Sequence, residues 1–531
     1  MYEDRWYQIE AEQALYDYFA SNKGNPIIAL PTGTGKSVVL GRTCANALRR
    51  WPSQRFLMAT HVKKLIEQNA QKLLDIWPAA PLGICSAGLN QRQANAPIVY
   101  GGVATLRNMV PNLGHRDIFW IDECHLVSPD EETMYAQLIK ELTHINPRMK
   151  VVGMSATPFR MGQGLLTNGG IFTDIAYDVT GVESFNRLIA EGYLSPLIPK
   201  KTKVEIDVTG IKISKGEYKA APLEEASDKI TYEALCELLE FSSNRVCGLI
   251  FATGIKHAEH IQYMLTQHFG QSSVCIHSGN KKFPRTDANN ERDLDRWLKG
   301  EVKWAVNMNA LTTGIDNPMI DVIGCLRPTI SSVLWVQMLG RGTRPCAHTG
   351  KRNCLVMDFA GNTKRLGPIN DPHIPKKKGE GTGEIPVRIC DACGCYNHAS
   401  SRFCINCGEE FSFQIKYNRS ASTDELLRDT TPVVEFFDVD YVIYGLHEKE
   451  GSPPSMKVSY FCGREKYMEW VCLEHTGYAQ SLAHQWWMKH HKSPPPKTTA
   501  EALTVRSELR KPKRIRVHTN KSLPEVLSYE Y

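Results

Sequence analysis

Four clusters of residues in the chain have types and spacings suited to chemistry. In Leu30-Pro31-Thr32-Gly33-Thr34-Gly35-Lys36-Ser37, glycines, a lysine and a serine stand between an apolar run and a helical pattern that begins at Ser37. The N–H groups of such a turn converge on phosphate oxygens, aided by the N-terminus of the next helix, and glycine keeps side chains out of that approach. The expected phosphate-binding set is Thr32, Gly33, Thr34, Gly35, Lys36 and Ser37, with Lys36 on the β- and γ-phosphates and Ser37 on Mg²⁺. The strict pattern has glycine where this chain has Leu30, so the loop is a variant.

The second cluster, Asp122-Glu123-Cys124-His125, follows the apolar run Ile118-Phe119-Trp120-Ile121. Ligands of open α/β sheets gather at strand carboxyl ends. Asp122 is expected there to hold Mg²⁺ through water, and Glu123 to orient or deprotonate the water that attacks a γ-phosphate. The third cluster spans Trp335 to Pro345 and sets Gln337, Arg341 and Arg344 at spacings of four and three, one face of a helix or helical turn. All three are expected to point into one cleft, where a guanidinium stabilises the charge of phosphoryl transfer.

The fourth cluster is made of thiols. Of 16 cysteines, five crowd between Cys390 and Cys407 and the rest are scattered singly through apolar segments. That distribution fits reduced thiols plus one metal site, not a disulfide framework. Cys390-x-x-Cys393 and Cys404-x-x-Cys407, followed by Gly394 and Gly408, have the spacing of a zinc ribbon, and four thiolates suit tetrahedral Zn²⁺. A site closed by four protein ligands is structural, and Cys395 and His398 are spare potential ligands for the fourth place.

These residues need elements to hold them. Apolar runs at Ile27–Leu30, Arg55–Ala59, Ile98–Tyr100, Ile118–Ile121 and Val151–Met154 read as buried parallel strands, separated by helical stretches such as Val62–Leu74 and Glu131–Leu142. The pattern pauses at Pro196–Lys203 and returns at Gly248–Phe251, Val274–His277, Lys303–Met308, Asp321–Cys325 and Cys354–Phe359. The expected fold class is therefore α/β, with two tandem doubly wound parallel-sheet lobes over residues 1–196 and 197–369. A Pro/Gly/Lys-rich linker and zinc ribbon follow over 370–415, and a small α+β domain with a basic tail over 416–531. In that last domain several short strands are expected between Thr431 and Leu473, with Gly451–Pro454 as a turn. Trp486 and Trp487 read as core residues, with a stacking platform as the second reading, and Lys511–Val517 as an edge strand with one wet face.

Composition narrows the class. With 42% hydrophobic and 23% charged residues the chain is neither disordered nor fibrous. It shows no long apolar run and no hydrophobic leader at Met1–Glu10, so a cytoplasmic protein without membrane contact is expected. The net charge is +6, yet Lys492–Lys521 carries nine Lys or Arg against Glu501 and Glu508. A basic end on a near-neutral body fits an anionic partner or a plain solvated run.

Taken in order from Arg5 to Arg344, these motifs resemble superfamily 2 helicases of the DEAD/DEAH type over about two thirds of the chain. The resemblance implies RecA-like lobes, ATP hydrolysis with Mg²⁺, and Gln8 of Arg5-Trp6-Tyr7-Gln8 on the adenine. It implies that Ser155 and Thr157 of Met154-Ser155-Ala156-Thr157-Pro158, with His125, couple hydrolysis to lobe movement, and that Gly314 and Asp316 contact nucleotide from the second lobe. It further implies nucleic-acid contacts from Thr60, His61, Gly102, Thr105, Thr253 and Thr312, in loops at the other edge of the lobes. The D-E-C-H box, Gly340–Pro345, Asp358–Asn362 and the cysteine module are most similar to RadD-like repair ATPases of bacteria and phages. DNA that is single-stranded, forked or branched is the expected partner, with a single-strand DNA-binding protein implied by the RadD resemblance and a monomer expected. Two other readings share the core motifs: an ATP-switched remodelling or recombination factor that does not unwind, and an RNA helicase.

Overall fold

Runs of β-branched and aromatic residues become parallel strands here because both sheet faces are covered. In the computed structural model the first sheet runs in the order Asp174–Asp178, Pro26–Ala29, Lys150–Ser155, Ile118–Asp122, Phe56–Thr60, Ile98–Gly102, Leu82–Ser86. All these neighbours are parallel, and the short strand Gln91–Arg92 pairs antiparallel at the far end. Successive side chains point to opposite faces. Phe56, Met58, Ile98, Tyr100 and Trp120 enter one core with helices Trp6–Ser21, Lys36–Arg50 and Lys63–Ile76. Leu57, Ala59, Val99, Phe119 and Ile121 enter the other with helix Met134–Ile145.

The second sheet is wholly parallel, in the order Leu197–Lys200, Cys354–Asp358, Val322–Leu326, Gly248–Ala252, Trp304–Asn307, Ser273–Ile276. It too has a core on each face, one around Trp304, Ile250 and Leu238 and one around Phe251, Trp297 and Trp335. The fold is thus the expected pair of doubly wound lobes. Leu197–Lys200 is a strand where the sequence pattern pauses. It lies at the sheet edge, with Cys354–Asp358 as its ladder partner and a single bridge from Lys200 to Cys395 on the other flank, so Pro199, lacking an N–H, is tolerated there.

The structure describes residues 5–61, 63–128, 133–160, 164–214, 216–311, 316–372, 387–398, 403–404, 406–411, 434–449, 452–463, 465–475, 478–519 and 524–531. They fall into two compact units, Met1–Arg428 and Asp429–Tyr531. No helix among them is long and apolar enough to cross a membrane.

The second unit is α+β. A meander of Tyr441–Lys449, Ser452–Cys462 and Glu465–Val471 and a sheet of Val434–Asp438, Arg514–His518 and Glu525–Glu530 enclose one core with helix Tyr478–His490. Trp486 and Trp487 are buried in that core. The basic strand Arg514–His518 is the central strand of its sheet, not an edge, since it pairs on both sides. It does keep one wet face: Ile515 and Val517 are buried while Arg514 and Arg516 are exposed. Ser452–Pro454 belongs to a strand rather than a turn. Pairing to the third meander strand begins only at Met456, so the prolines sit where one flank has no ladder to serve. Gly451 lies outside the described residues.

Candidate active site and metal centre

Parallel strands share one carboxyl edge, so sheet order decides which loops meet. The strand ending at Ser155 lies between those ending at Ala29 and Asp122, which gathers the phosphate loop, the acidic pair and Ser155. A cleft of about 800 Å³ opens there, bounded by both lobes. Thr32, Gly33, Gly35, Lys36, Ser37, Asp122 and Glu123 line it from the first lobe, and Asp316, Arg341 and Arg344 from the second.

The loop backbone accounts for its glycines. Gly33 and Gly35 have φ of 91° and 85°, values L side chains rarely adopt. A Cβ on Gly33 would lie 3.0 Å from Cγ of Arg344, and one on Gly35 would lie 2.9 Å from Nε2 of Gln8. Gln8 Nε2 and Tyr7 OH both donate to the Thr34 carbonyl, at 3.0 and 2.9 Å, so the upstream element holds the loop while Gln8 lines the cleft. The Thr34 side chain turns inward and donates to the Pro31 carbonyl at 2.7 Å, away from the cleft.

Lys36 Nζ lies 3.8 Å from Glu123 Oε1. Glu123 has φ of 51°, an unusual conformation for a residue with a Cβ, of the kind that collects at working sites. Burial and then the adjacent Glu123 charge push the Asp122 carboxyl above the usual carboxylate range, while Lys36 and an Asn69 hydrogen bond pull the other way. Asn69 Nδ2 donates to Asp122 Oδ2 at 3.1 Å, and Asn69 Oδ1 accepts from the Ser37 hydroxyl. One side chain thereby holds both candidate Mg²⁺ ligands, and these two oxygen donors at a phosphate loop fit that ion. Asn69 was not among the residues singled out from sequence. Its signal was there: the buried stripe of its helix reads Ile66, Asn69, Ala70, Leu73, with one polar member.

The three residues of the arginine cluster do not share one target. Helix Ser332–Gly340 ends before Arg341, and the arginines sit in the turn beyond it. Arg344 Nη1 contacts Asp316 Oδ1 at 2.9 Å. Burial, then the neighbouring Arg344, pushes Arg341 down to about 9, which leaves it charged at neutral pH. Gln337 does not line the cleft and meets His125 instead, with its Nε2 3.0 Å from His125 Nε2. On the other side of the ring, His125 Nδ1 is 2.9 Å from Ser155 Oγ, which also accepts from the Thr157 N–H at 3.0 Å. With Gln337 donating, the ring proton belongs on Nδ1 and points to Ser155. A continuous path then joins the second lobe to the Ser155–Thr157 turn. The lobes also touch where Thr343 Oγ1 donates to the Thr32 carbonyl at 3.2 Å.

Of the candidate nucleic-acid residues, Thr60, His61, Gly102 and Thr253 lie at strand carboxyl ends, the same edge as the phosphate loop and not the other edge, because the sheets are parallel throughout this region. They are displaced along it. Thr60 and Gly102 end adjacent strands, and His61 packs its ring against Tyr135. The Thr105 hydroxyl accepts from Ala87 N at 3.1 Å, and the Thr253 hydroxyl is 2.8 Å from His257 Nδ1. Thr312 and Gly314 lie outside the described residues.

In the cysteine module the sulfurs of Cys390, Cys393, Cys404 and Cys407 lie within 4.8 Å of one another. Cys390 and Cys407 are 3.6 Å apart and Cys393 and Cys404 3.5 Å. Sulfurs at tetrahedral distance from Zn²⁺ stand about 3.8 Å apart, so the set fits that ion. Gly394 and Gly408, with φ of 69° and 75°, close the two knuckles. Cys395 and His398 stay out of the set: the Cys395 thiol faces the Tyr396 carbonyl at 3.4 Å, and His398 lies in a strand paired to Val387. The module is fastened to the second lobe at its edge strand. Lys201 N donates to the Gly394 carbonyl at 2.9 Å, and Ile198 packs with Cys390, Cys395, Cys404 and Phe411.

Residues 1–160 match the family model "Type III restriction enzyme, res subunit", and residues 230–346 match "Helicase conserved C-terminal domain". The chain is 26% identical over 386 residues to the "Putative mitochondrial ATP-dependent helicase irc3" of Schizosaccharomyces pombe, covering 70% of this chain and 59% of that protein. It is 24% identical over 412 residues to a 51.5 kDa protein of a Lactococcus phage (isolate 7-9), covering 75% and 81%. Among solved structures, "The fragment structure of a putative HsdR subunit of a type I restriction enzyme from Vibrio vulnificus YJ016" is similar in fold, with TM-score 0.53, 18% identity, and 70% and 68% of the two chains covered. The chain spans between half and two thirds of the length of the yeast relatives it matches. With both family models falling on the two lobes that form the cleft, the chain belongs to the superfamily 2 helicases of the DEAD/DEAH type and carries both lobes of their core.

Proposed function

We propose that this protein is an ATP-driven helicase or translocase acting on DNA in repair, recombination or replication. One observation carries the reading: Lys36, Glu123, Arg341 and Arg344, drawn from two lobes with separate cores, line a single cleft. Such a site is complete only when the lobes are together, so fuel turnover is tied to lobe movement. Restriction-enzyme subunits recur among the matches, and restriction is cleavage of DNA, which favours DNA over RNA as the track.

The chain's residues divide the work. Gln8 reads the base edge of ATP, and Thr32 to Ser37 hold the phosphates. Ser37 and Asp122 would hold Mg²⁺, which when bound neutralises phosphate charge. Glu123 takes a proton from water as its oxygen bonds to the γ-phosphorus and the bond to the β-phosphate oxygen breaks, releasing ADP. Arg341 and Arg344 stabilise the charge on the transferred group. His125 passes the change to Ser155 and Thr157 on one side and Gln337 on the other. Zn²⁺ in the four-cysteine set, a cytoplasmic monomer and a single-strand DNA-binding protein as partner belong to the same proposal, the last through the RadD-like resemblance.

The test is a panel of ATP turnover and strand separation on single-stranded, duplex, forked and junction DNA and on RNA. Turnover raised by DNA and coupled to separation of forks is the expected result. DNA-stimulated turnover without separation on any substrate would point to a remodelling clamp, and stimulation by RNA alone would replace DNA.

A further inference from the structure

The C-terminal unit carries a face that neither its core nor the ATP cleft uses. The meander register puts Tyr441, Phe461 and Lys466 in one cross-strand row, and Gly445, Lys457 and Trp470 in another. The opposite face of the same strands, with Tyr460, Val458 and Met456, is the core, so these rows face outward. Tyr441 and Ile443 are 53% and 51% exposed, and Trp470 is 36% exposed. Large apolar side chains left this open on one sheet face need an occupant.

The chemistry of the face indicates which. Tyr441 and Phe461 are stacked with centroids 4.5 Å apart and planes 13° from parallel. Lys466 Nζ stands 4.9 Å from the Phe461 ring, and Lys457 Nζ 5.9 Å from Trp470, beside which His447 also lies. Among the described residues the register puts no carboxylate on this face. Glu469 points inward, where Tyr460, Trp486 and Tyr529 hold it, and Glu465 pairs with buried Cys462 on the core side. Aromatic rings interleaved with cations and free of anions match a strand whose bases stack and whose phosphates are negative. The two ring rows are four residues apart along the central strand, about 13 Å, room for two or three bases. A protein partner would more often meet mixed charge at the rim of such a patch.

We propose that this outward face of Tyr441, Phe461, Lys466, Lys457 and Trp470 is a stacking platform for single-stranded DNA, separate from the ATP-driven core. DNA as the occupant rests on the DNA reading of that core. The platform is also distinct from the tail: Trp486 and Trp487 are internal, and the rows lie on other strands.

The experiment uses the full chain, a labelled oligo(dT) and an abasic oligomer of the same length, read by fluorescence anisotropy over a salt series. The wild type binds oligo(dT) more tightly than the abasic strand. Phe461→Ala and Trp470→Ala each weaken oligo(dT) binding by about 5- to 150-fold and leave abasic binding unchanged. Lys457→Gln lowers the salt slope by about 0.7 and keeps the base preference, so it reports even if a ring variant fails to fold. Melting temperature and DNA-free ATP turnover stay at wild-type values. Folded ring variants that bind oligo(dT) as the wild type does would overturn the proposal, as would tighter binding of oligo(rU), which would displace DNA as the occupant. Failure of the core reading has another signature: oligo(dT) leaves wild-type ATP turnover unchanged while base-dependent binding, and its loss in Phe461→Ala, persists.

Discussion

Gln337→Ala isolates lobe closure from nucleotide chemistry. The Gln337 side chain comes from the second lobe and lies outside the cleft, so its loss removes no phosphate contact. What it removes is the 3.0 Å hydrogen bond to His125 Nε2. The ring cannot compensate by taking a proton, since burial, with Lys36 as the next cause, pushes its pKa down to about 3. Nor can it turn over, because Nδ1 is engaged with Ser155 Oγ at 2.9 Å. A neutral hydrogen bond contributes about 0.5–1.5 kcal/mol net, and an acceptor left dry costs about 1–3 kcal/mol. The bond spans the two lobes and is lost when they part, so the cost falls on closure. A loss of about 1–2 kcal/mol lowers the closed population by about 5- to 30-fold. The assay is ATP turnover at saturating ATP and single-stranded DNA, beside equilibrium binding of a non-hydrolysable ATP analogue and thermal melting. Turnover should fall by that factor with melting unchanged, as each lobe has its own cores. Gln337→Glu should be worse at alkaline pH and improve on acidification, because a carboxylate sets acceptor against acceptor. Wild-type turnover and analogue affinity in Gln337→Ala would refute the argument.

Four further outcomes are expected. Glu123→Gln keeps the side chain's size and loses its basicity, so turnover should drop by at least about 100-fold with ATP binding retained, whereas Lys36→Ala should weaken both, as titrations with labelled ATP will show. Gly340→Ala places a Cβ 2.7 Å from Thr32 Cβ across the lobes, so turnover should fall while thermal melting stays that of the wild type. Chelation or Cys404→Ser should release about one metal ion per chain, measured by atomic absorption, and lower the melting temperature by uncovering Ile198 on the edge strand. Burial pushes His257 and His490 down to about 4, so the folded chain binds fewer protons than the unfolded one between there and the ordinary value of about 6.5. Stability is therefore full above about pH 6.5 and falls as the pH drops toward 4; melting temperatures across that range should decline, and less steeply in His257→Gln.

Much of this was legible in one dimension because its cause is local. The turn at Gly33 and Gly35 is a matter of backbone freedom, the cysteine spacing of knuckle geometry, and the buried strands of short apolar runs, all properties of neighbours in the chain. Edge strands were harder: Leu197–Lys200 and Asp174–Asp178 bury little on one flank, so their residues carry no periodic signal. Side chains whose partners come from afar could not be read at all. Asn69 looks like one polar residue in an amphipathic helix until sheet order brings it between Ser37 and Asp122. Gln337 looks like a third member of an arginine face until helix Ser332–Gly340 ends before Arg341 and leaves it against His125. The exposed rings of the C-terminal unit are scattered over thirty positions, and strand register alone sets Tyr441 beside Phe461 and Trp470 beside Lys457. By itself the sequence determined which groups are the candidates to hold phosphate and metal, since residue type and close spacing decide that. Only the tertiary structure decided which groups meet across lobes and strands, because contact between distant residues is a property of sheet order and register.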